Sequence, residues 1–92
     1  MKLVCTMIFD KIDKVYMRDS ITLDRSLRSI CRGYLNIFEQ NRKMNFKEFE
    51  LRKVGFFDDE LGEFTPLNPP EIVDPTCVYD KPQPKEGEES EL

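Results

Sequence analysis

All six prolines of this chain lie at or beyond position 66. Proline fixes the backbone angle φ and lacks an N–H donor, so it is excluded from helix interiors and from the middle of a sheet. The chain from Pro66 onward is therefore predicted to contain no helix, and any strand in it must lie at an edge. We predict an α+β domain over residues 1–66, a proline-rich extended arm over residues 67–80 and a disordered acidic tail over residues 81–92.

A strand and a helix are predicted in the first half of the domain. Residues 2–10 alternate between two faces that are both mostly apolar, which indicates a strand in the centre of a sheet. Apolar residues then recur at helical spacing from Leu23 to about Glu39, which predicts an amphipathic helix with Ser20 or Thr22 as its N-cap. This helix is predicted to pack its apolar face on the sheet.

A β-hairpin is predicted in the second half of the domain. Residues 48–57 alternate like a strand, but the alternation slips by one residue near Lys53, which predicts a β-bulge there. The acidic turn 58–62 ends on Gly62, which tolerates a positive φ and suits a hairpin turn. The predicted fold is a small single α+β domain of order β-α-β-β, an antiparallel sheet of about three strands with one amphipathic helix.

The net charge of −4 conceals an uneven distribution of charge. Residues 1–56 carry 12 lysines and arginines against 7 aspartates and glutamates, whereas residues 57–92 carry 2 against 11. A basic body joined to an acidic end is typical of a polyanion-binding protein whose tail competes with the ligand or recruits a partner. A tail that only improves solubility explains the same asymmetry.

Arg25, Arg28 and Arg32 share one side of the predicted helix, opposite its apolar face. They form either a solvated helix face or a ridge that binds phosphates, because guanidinium groups pair with phosphate oxygens in a bidentate manner. Lys43 and Lys47 extend this basic side beyond the helix. The sequence pattern alone leaves both interpretations open.

Tyr16 is the aromatic residue best placed to stack on a nucleic-acid base. It lies between Lys14 and Arg18, in a basic segment that has no obvious core pattern. Several other aromatic residues are better explained as parts of the core: Phe9, Tyr34, Phe38, Phe49 and Phe56.

The composition argues against catalysis and metal binding. The chain has no histidine, which removes the commonest general acid or base, and a zinc site would have to rely on carboxylates. Cys5, Cys31 and Cys77 lack CxxC spacing, and the acidic residues of 58–63 do not match a calcium loop. We therefore expect no enzymatic activity, no metal and no cofactor. The sequence has no apolar run of about 18 residues, so we also expect no membrane association.

Residues 46–64, FKEFELRKVGFFDDELGEF, follow a strand that ends in the sequence IFDK at residues 8–11 and a helix that bears arginines. Together these features resemble the small non-structural protein of gokushovirus-type microviruses, which are phages with circular single-stranded DNA. The family segment (D/E)-(Y/F)-x-L-x-x-(I/V/L)-G-x-F-D-x-x-x-G is matched in order by Glu48, Phe49, Leu51, Val54, Gly55, Phe57, Asp58 and Gly62. The resemblance covers roughly residues 1–66.

The resemblance implies a non-catalytic phage protein in the host cytoplasm. It implies binding of single-stranded DNA during genome replication, or during the switch to single-strand synthesis and packaging. In this hypothesis the basic residues and Tyr16 named above form the nucleic-acid-binding site, and phage replication or packaging proteins are further partners. The small size of the folded domain favours a homodimer.

A protein-interaction adaptor is the alternative hypothesis. In it the acidic hairpin and the proline-rich arm recruit a replication, capsid or host factor, and the arginines are only solvated. Charge reversal at the arginines distinguishes the two hypotheses, because it abolishes DNA retention under the first and leaves partner capture intact under the second.

Overall fold

The computed structural model describes residues 1–76, which contain the α-helix Leu27–Gln40 and five strands in a single antiparallel sheet. Pro75 and Thr76 are also helical, so the prediction of no helix from Pro66 onward is wrong. The elements in chain order are β1 (Lys2–Asp10), β2 (Val15–Tyr16), β3 (Thr22–Asp24), α1 (Leu27–Gln40), β4 (Phe49–Asp58) and β5 (Glu63–Val73), with 3-10 turns at Arg18–Ser20 and Phe46–Glu48. The predicted α+β class is confirmed, whereas the predicted count of about three strands is too low. β2 and β3 escape prediction because strands of two and three residues are too short to show an alternating pattern.

β1 lies in the middle of the sheet, as its two apolar faces predict. It pairs with β4 along one side, and with β2 and β3 one after the other along the second side. β4 pairs in turn with β5, which forms the opposite edge of the sheet. α1 packs on one face of this sheet, and the core contains Ile8, Ile30, Cys31, Tyr34, Leu51 and Val73.

α1 begins after Ser26, whose hydroxyl accepts the N–H of Ser29 at 3.2 Å. The predicted N-caps Ser20 and Thr22 are therefore wrong. Leu23 continues the helical spacing of apolar residues, but its backbone pairs with β1 and places it in β3. Within the described part of the chain, no helix is long and apolar enough to cross a membrane.

The β-bulge predicted near Lys53 is confirmed. Cys5 of β1 pairs with Gly55, but the next residue, Thr6, pairs with Lys53, so Val54 is the extra residue on β4. Because side chains alternate between the two faces of a strand, the extra residue resets the alternation of β4 in the middle of its length.

The predicted hairpin between β4 and β5 is also confirmed. Gly62 has a φ of 68° and donates its N–H to the carbonyl oxygen of Asp58 at 2.8 Å. The Asp58 carboxylate accepts the N–H groups of Glu60 at 3.0 Å and Leu61 at 3.2 Å, and these bonds lower its pKa. The turn is thus closed by hydrogen bonds among its own residues.

β5 contains three prolines and lies at the edge of the sheet, as the sequence predicts for any strand in this segment. It pairs with β4 from Glu63 to Pro66 and again from Glu71 to Val73. The boundary predicted at Pro66 therefore falls inside β5, and Val73 of the predicted arm belongs to the core. The rest of the arm beyond residue 76 and the predicted tail over 81–92 lie outside the described residues.

Thr6 is the buried polar residue of the central strand. It is fully buried, and its hydroxyl oxygen has no hydrogen-bond partner among residues 1–76. Burying an unsatisfied hydroxyl costs about 1–3 kcal/mol, so the isosteric change Thr6→Val should raise the free energy of unfolding by about 1–2 kcal/mol. Urea denaturation measures this, with Thr65→Val on exposed β5 as the control. A destabilised Thr6→Val variant would contradict the expectation.

Candidate nucleic-acid interface

Phe46 presents an aromatic ring at the surface, just beyond the C-terminal end of α1. The residue is 40% exposed, and the buried side of its ring meets Phe38 with centroids 5.1 Å apart and planes at 81°. Tyr34 lies 5.9 Å away, and Phe38 in turn contacts Phe49 at 5.7 Å. The core aromatics thus hold Phe46 in place from below while it remains open to solvent. Such a ring is suited to stacking on a base.

Hydrogen bonds fix the loop that carries Phe46. The N–H of Asn41 donates to the carbonyl oxygen of Ile37 at 2.9 Å and ends α1. The N–H of Met44 donates to the carbonyl oxygen of Asn41 at 3.0 Å. Asn45 then caps the 3-10 turn, because its side-chain oxygen accepts the N–H of Lys47 at 3.1 Å. The loop is therefore preorganised, so that little conformational entropy is lost when a ligand binds it.

Three cations flank Phe46 along the chain in this loop. Arg42, Lys43 and Lys47 are all exposed, and none of them forms an ion pair within the described structure. Their charges are thus available to phosphate groups. We call Phe46 with these three cations the 42–47 surface.

The β1–β2 turn lies beside the 42–47 surface and adds further positive charge. The N–H of Lys11 donates to the carbonyl of Glu48 at 2.8 Å, which joins this turn to the 3-10 turn of Phe46. Lys14 occupies the same β1–β2 turn with a φ of 59°, and it is exposed. Lys14, Lys43 and Lys47 of the predicted site therefore lie at one end of the sheet.

Tyr16 lies in β2, within a packed cluster rather than as an isolated surface ring. Its ring meets Phe9 edge-on at 5.0 Å, and its hydroxyl oxygen accepts a hydrogen bond from Arg52 at 3.2 Å. The Arg52 guanidinium lies 3.8 Å from the centre of the Phe9 ring and bonds the Glu50 carboxylate at 2.7 Å. These contacts leave Tyr16 half-buried, so its ring is less accessible to a base than the sequence analysis predicts.

The predicted arginine ridge is divided by the start of the helix. Arg28 and Arg32 are exposed on α1, but Arg25 precedes the helix, and Arg18 lies in the 3-10 turn before β3. A helix of 14 residues is about 20 Å long. Arg25 is therefore separated from Lys43 by about the length of α1, and Arg28 and Arg32 lie on the helix between them.

Sequence reasoning missed Phe46. A signal was available, because Phe46 is a large aromatic residue in an otherwise polar and basic stretch over 39–48 that lacks an apolar repeat. An aromatic residue outside any core pattern, with cations on both sides, has the composition of a single-strand binding site.

Tyr34, which supports Phe46, carries a phenol that resists ionisation. It is 3% exposed, and burial, followed by the charge of Glu50, raises its pKa from 10 to about 12. Stability that depends on the protonated phenol is therefore complete below pH 10 and is lost as the pH rises towards 12. Ultraviolet titration should show a phenolate step near pH 12 that Tyr34→Phe removes. Persistence of that step in the variant would contradict the assignment.

No protein-family model matches the chain, and the comparisons with curated proteins and with solved structures also gave no match.

Proposed function

We propose that the protein binds single-stranded DNA through the 42–47 surface, as a non-catalytic accessory factor in phage genome replication or in the switch to single-strand synthesis and packaging. The observation that carries the proposal is Phe46, an exposed ring that packs on core aromatics and is flanked in the chain by cations that form no ion pair among residues 1–76. Stacking on such a ring contributes about 1–3 kcal/mol per base.

Single-stranded DNA fits this surface better than duplex DNA does. In a duplex the faces of the bases are covered by their neighbours, whereas in a single strand they are accessible to a protein side chain. Phe46 offers one ring, and Lys43 and Lys47 lie within a few residues of it to contact the phosphates on either side. The resemblance to proteins of single-stranded DNA phages supports the same ligand.

The first test is fluorescence anisotropy with a labelled oligothymidine of about 16 nucleotides. Phe46→Ala should weaken binding by roughly 5- to 150-fold, which corresponds to the loss of one stacked base. Phe64→Ala is the matched control, because Phe64 is 47% exposed but lies on β5 away from the 42–47 surface. Equal losses in the two variants, or no loss in either, would overturn the proposal.

A salt series tests the phosphate contacts separately. Each phosphate contact to a single strand contributes about −0.7 to the slope of log K against log salt concentration. The double change Lys43→Ala with Lys47→Ala should make that slope less steep by about 1.4. Lys2→Ala, at the opposite end of β1, serves as the control. A slope that stays the same in the double variant would show that these lysines do not contact phosphate.

A further inference from the structure

A cleft of about 240 Å³ lies between α1 and the edge of the sheet formed by β3 and the 3-10 turn before it. The α1 side includes Ile30, Gly33 and Ile37, and the sheet contributes Ile8 and Leu51. This volume is sufficient for one long side chain but not for a folded element. The cleft lies on the β3 side of the sheet, and none of its described lining residues belongs to the 42–47 surface.

Beside this cleft, the backbone of β3 has an N–H and a C=O group that point away from β1 in the plane of the sheet. Ile8 donates its N–H to the Ser20 hydroxyl at 2.8 Å and accepts the N–H of Met17 at 2.9 Å, so both of its groups point to the β2–β3 side. In an antiparallel sheet the N–H and C=O of successive residues point alternately to the two neighbouring strands. The N–H and C=O of Cys5, three residues from Ile8, therefore point to β4. Leu23, opposite Cys5, must then direct its N–H and C=O away from β1, to an edge that no described strand covers. These groups can pair with an added strand.

The charge of the cleft indicates a cationic occupant. Asp19 and Asp24 are the charged side chains among its described lining residues, and no lysine or arginine lines it. Arg18 and Arg25 flank these aspartates along the chain but do not line the cleft. A lysine or arginine stem would pack on the isoleucines, and its charged end would reach the aspartates.

The other face of β3 is apolar and exposed. Ile21 is 59% exposed and Leu23 is 44% exposed. The backbone is extended here, so residues two positions apart in the chain lie on the same face. A strand added to β3 would therefore place alternate side chains in two different environments, one acidic cleft and one apolar surface.

We propose that the free edge of β3 and the adjacent cleft bind an extended segment of a protein partner in which basic and apolar residues alternate. The segment adds as a strand to β3 by bonding the N–H and C=O of Leu23. Its basic side chain enters the cleft, and its apolar side chains cover Ile21 and Leu23. This interaction goes beyond DNA binding, since it uses a different surface and recruits a protein to the DNA-bound chain.

The test uses a labelled peptide of alternating lysine and valine, with a peptide of alternating glutamate and valine as the probe of charge. We expect the lysine peptide to bind and to slow hydrogen exchange at the Leu23 amide, measured by nuclear magnetic resonance on the full chain. Methylation of alternate peptide nitrogens should abolish this binding, because it removes the backbone donors.

Two variants test whether the peptide binds in the cleft. Gly33 lines the cleft, and a Cβ there meets nothing within 4 Å, so Gly33→Met should fold normally and occupy the space. Gly33→Met and Asp19→Asn should each weaken peptide binding, the first by roughly tenfold or more. Asp13→Asn, in the β1–β2 turn, is the control. Binding that is unchanged by Gly33→Met, equal binding of the glutamate peptide, or no protection of Leu23 would each overturn the proposal.

The DNA experiment separates this proposal from the proposed function. Gly33→Met and Asp19→Asn should leave the affinity for oligothymidine unchanged, whereas Phe46→Ala should leave the affinity for the lysine peptide unchanged. Loss of both affinities in one of these variants would show that the cleft and the 42–47 surface are not independent, and would overturn the assignment of two ligands.

Discussion

Replacement of Gly55 by alanine will lower the free energy of unfolding by about 2–3 kcal/mol. A Cβ on Gly55 would lie 2.5 Å from the tip of the Phe64 ring and 2.5 Å from the carbonyl oxygen of Thr65. The ring can turn away, but the carbonyl oxygen belongs to the backbone of β5. The added methyl group must therefore separate β4 from β5 at the place where Gly55 pairs with Pro66.

The matched control is the same substitution at Gly33. A Cβ at Gly33 meets no atom within 4 Å, and Gly33 lies in an exposed position of α1. Gly33→Ala should therefore raise the free energy of unfolding by about 0.5–1 kcal/mol, because alanine has the higher helix propensity. Urea denaturation of both variants measures the difference. A stabilising or neutral Gly55→Ala variant would show that the two strands are not in close contact.

Leu51→Ala will lower the free energy of unfolding by about 2–5 kcal/mol. Leu51 is 2% exposed and lies between Ile8 of β1 and Val73 of β5 in the register of the sheet. Its removal leaves a cavity where the sheet meets α1, and the loss includes both transfer energy and cavity energy. Since small domains are stable by about 5–15 kcal/mol, this is a large fraction of the total.

Leu61→Ala is the control for this prediction. Leu61 lies in the hairpin turn and is 68% exposed, so the same deletion should change the free energy of unfolding by less than about 0.5 kcal/mol. Thermal and urea unfolding monitored by circular dichroism measure both variants. Similar losses for the two leucines would contradict the described position of β4.

Several elements of the fold were predictable because they depend on residues near one another in the chain. The two apolar faces of residues 2–10 predicted the central strand, and the slip in alternation near Lys53 predicted the bulge at Val54. Gly62 predicted the hairpin turn, and the prolines restricted β5 to an edge. In each case a backbone property or a period of two residues specifies the structure locally.

The start of α1 was not predictable in the same way. Leu23 fits the helical repeat as well as Leu27 does, and only its pairing with Cys5 of β1 removes it from the helix. β3 gains its stability from that partner, which is distant in the chain, and three residues are too few to reveal a strand by alternation. For the same reason Arg25 lies before the helix, whereas Arg28 and Arg32 lie on it.

The sequence by itself determined the positions of the positive charges, the central strand, the bulge and the edge character of the proline-rich segment. These follow from side-chain chemistry and backbone restrictions that each residue carries in any context. Only the tertiary structure decided which aromatic rings remain exposed and which polar groups lack partners. Phe46 is accessible because its neighbours Phe38 and Tyr34 fill the core beneath it. Among residues 1–76 no strand pairs with the outer side of Leu23, because the described sheet ends at β3. Exposure depends on what packs against a residue, and contacts between distant segments determine that packing.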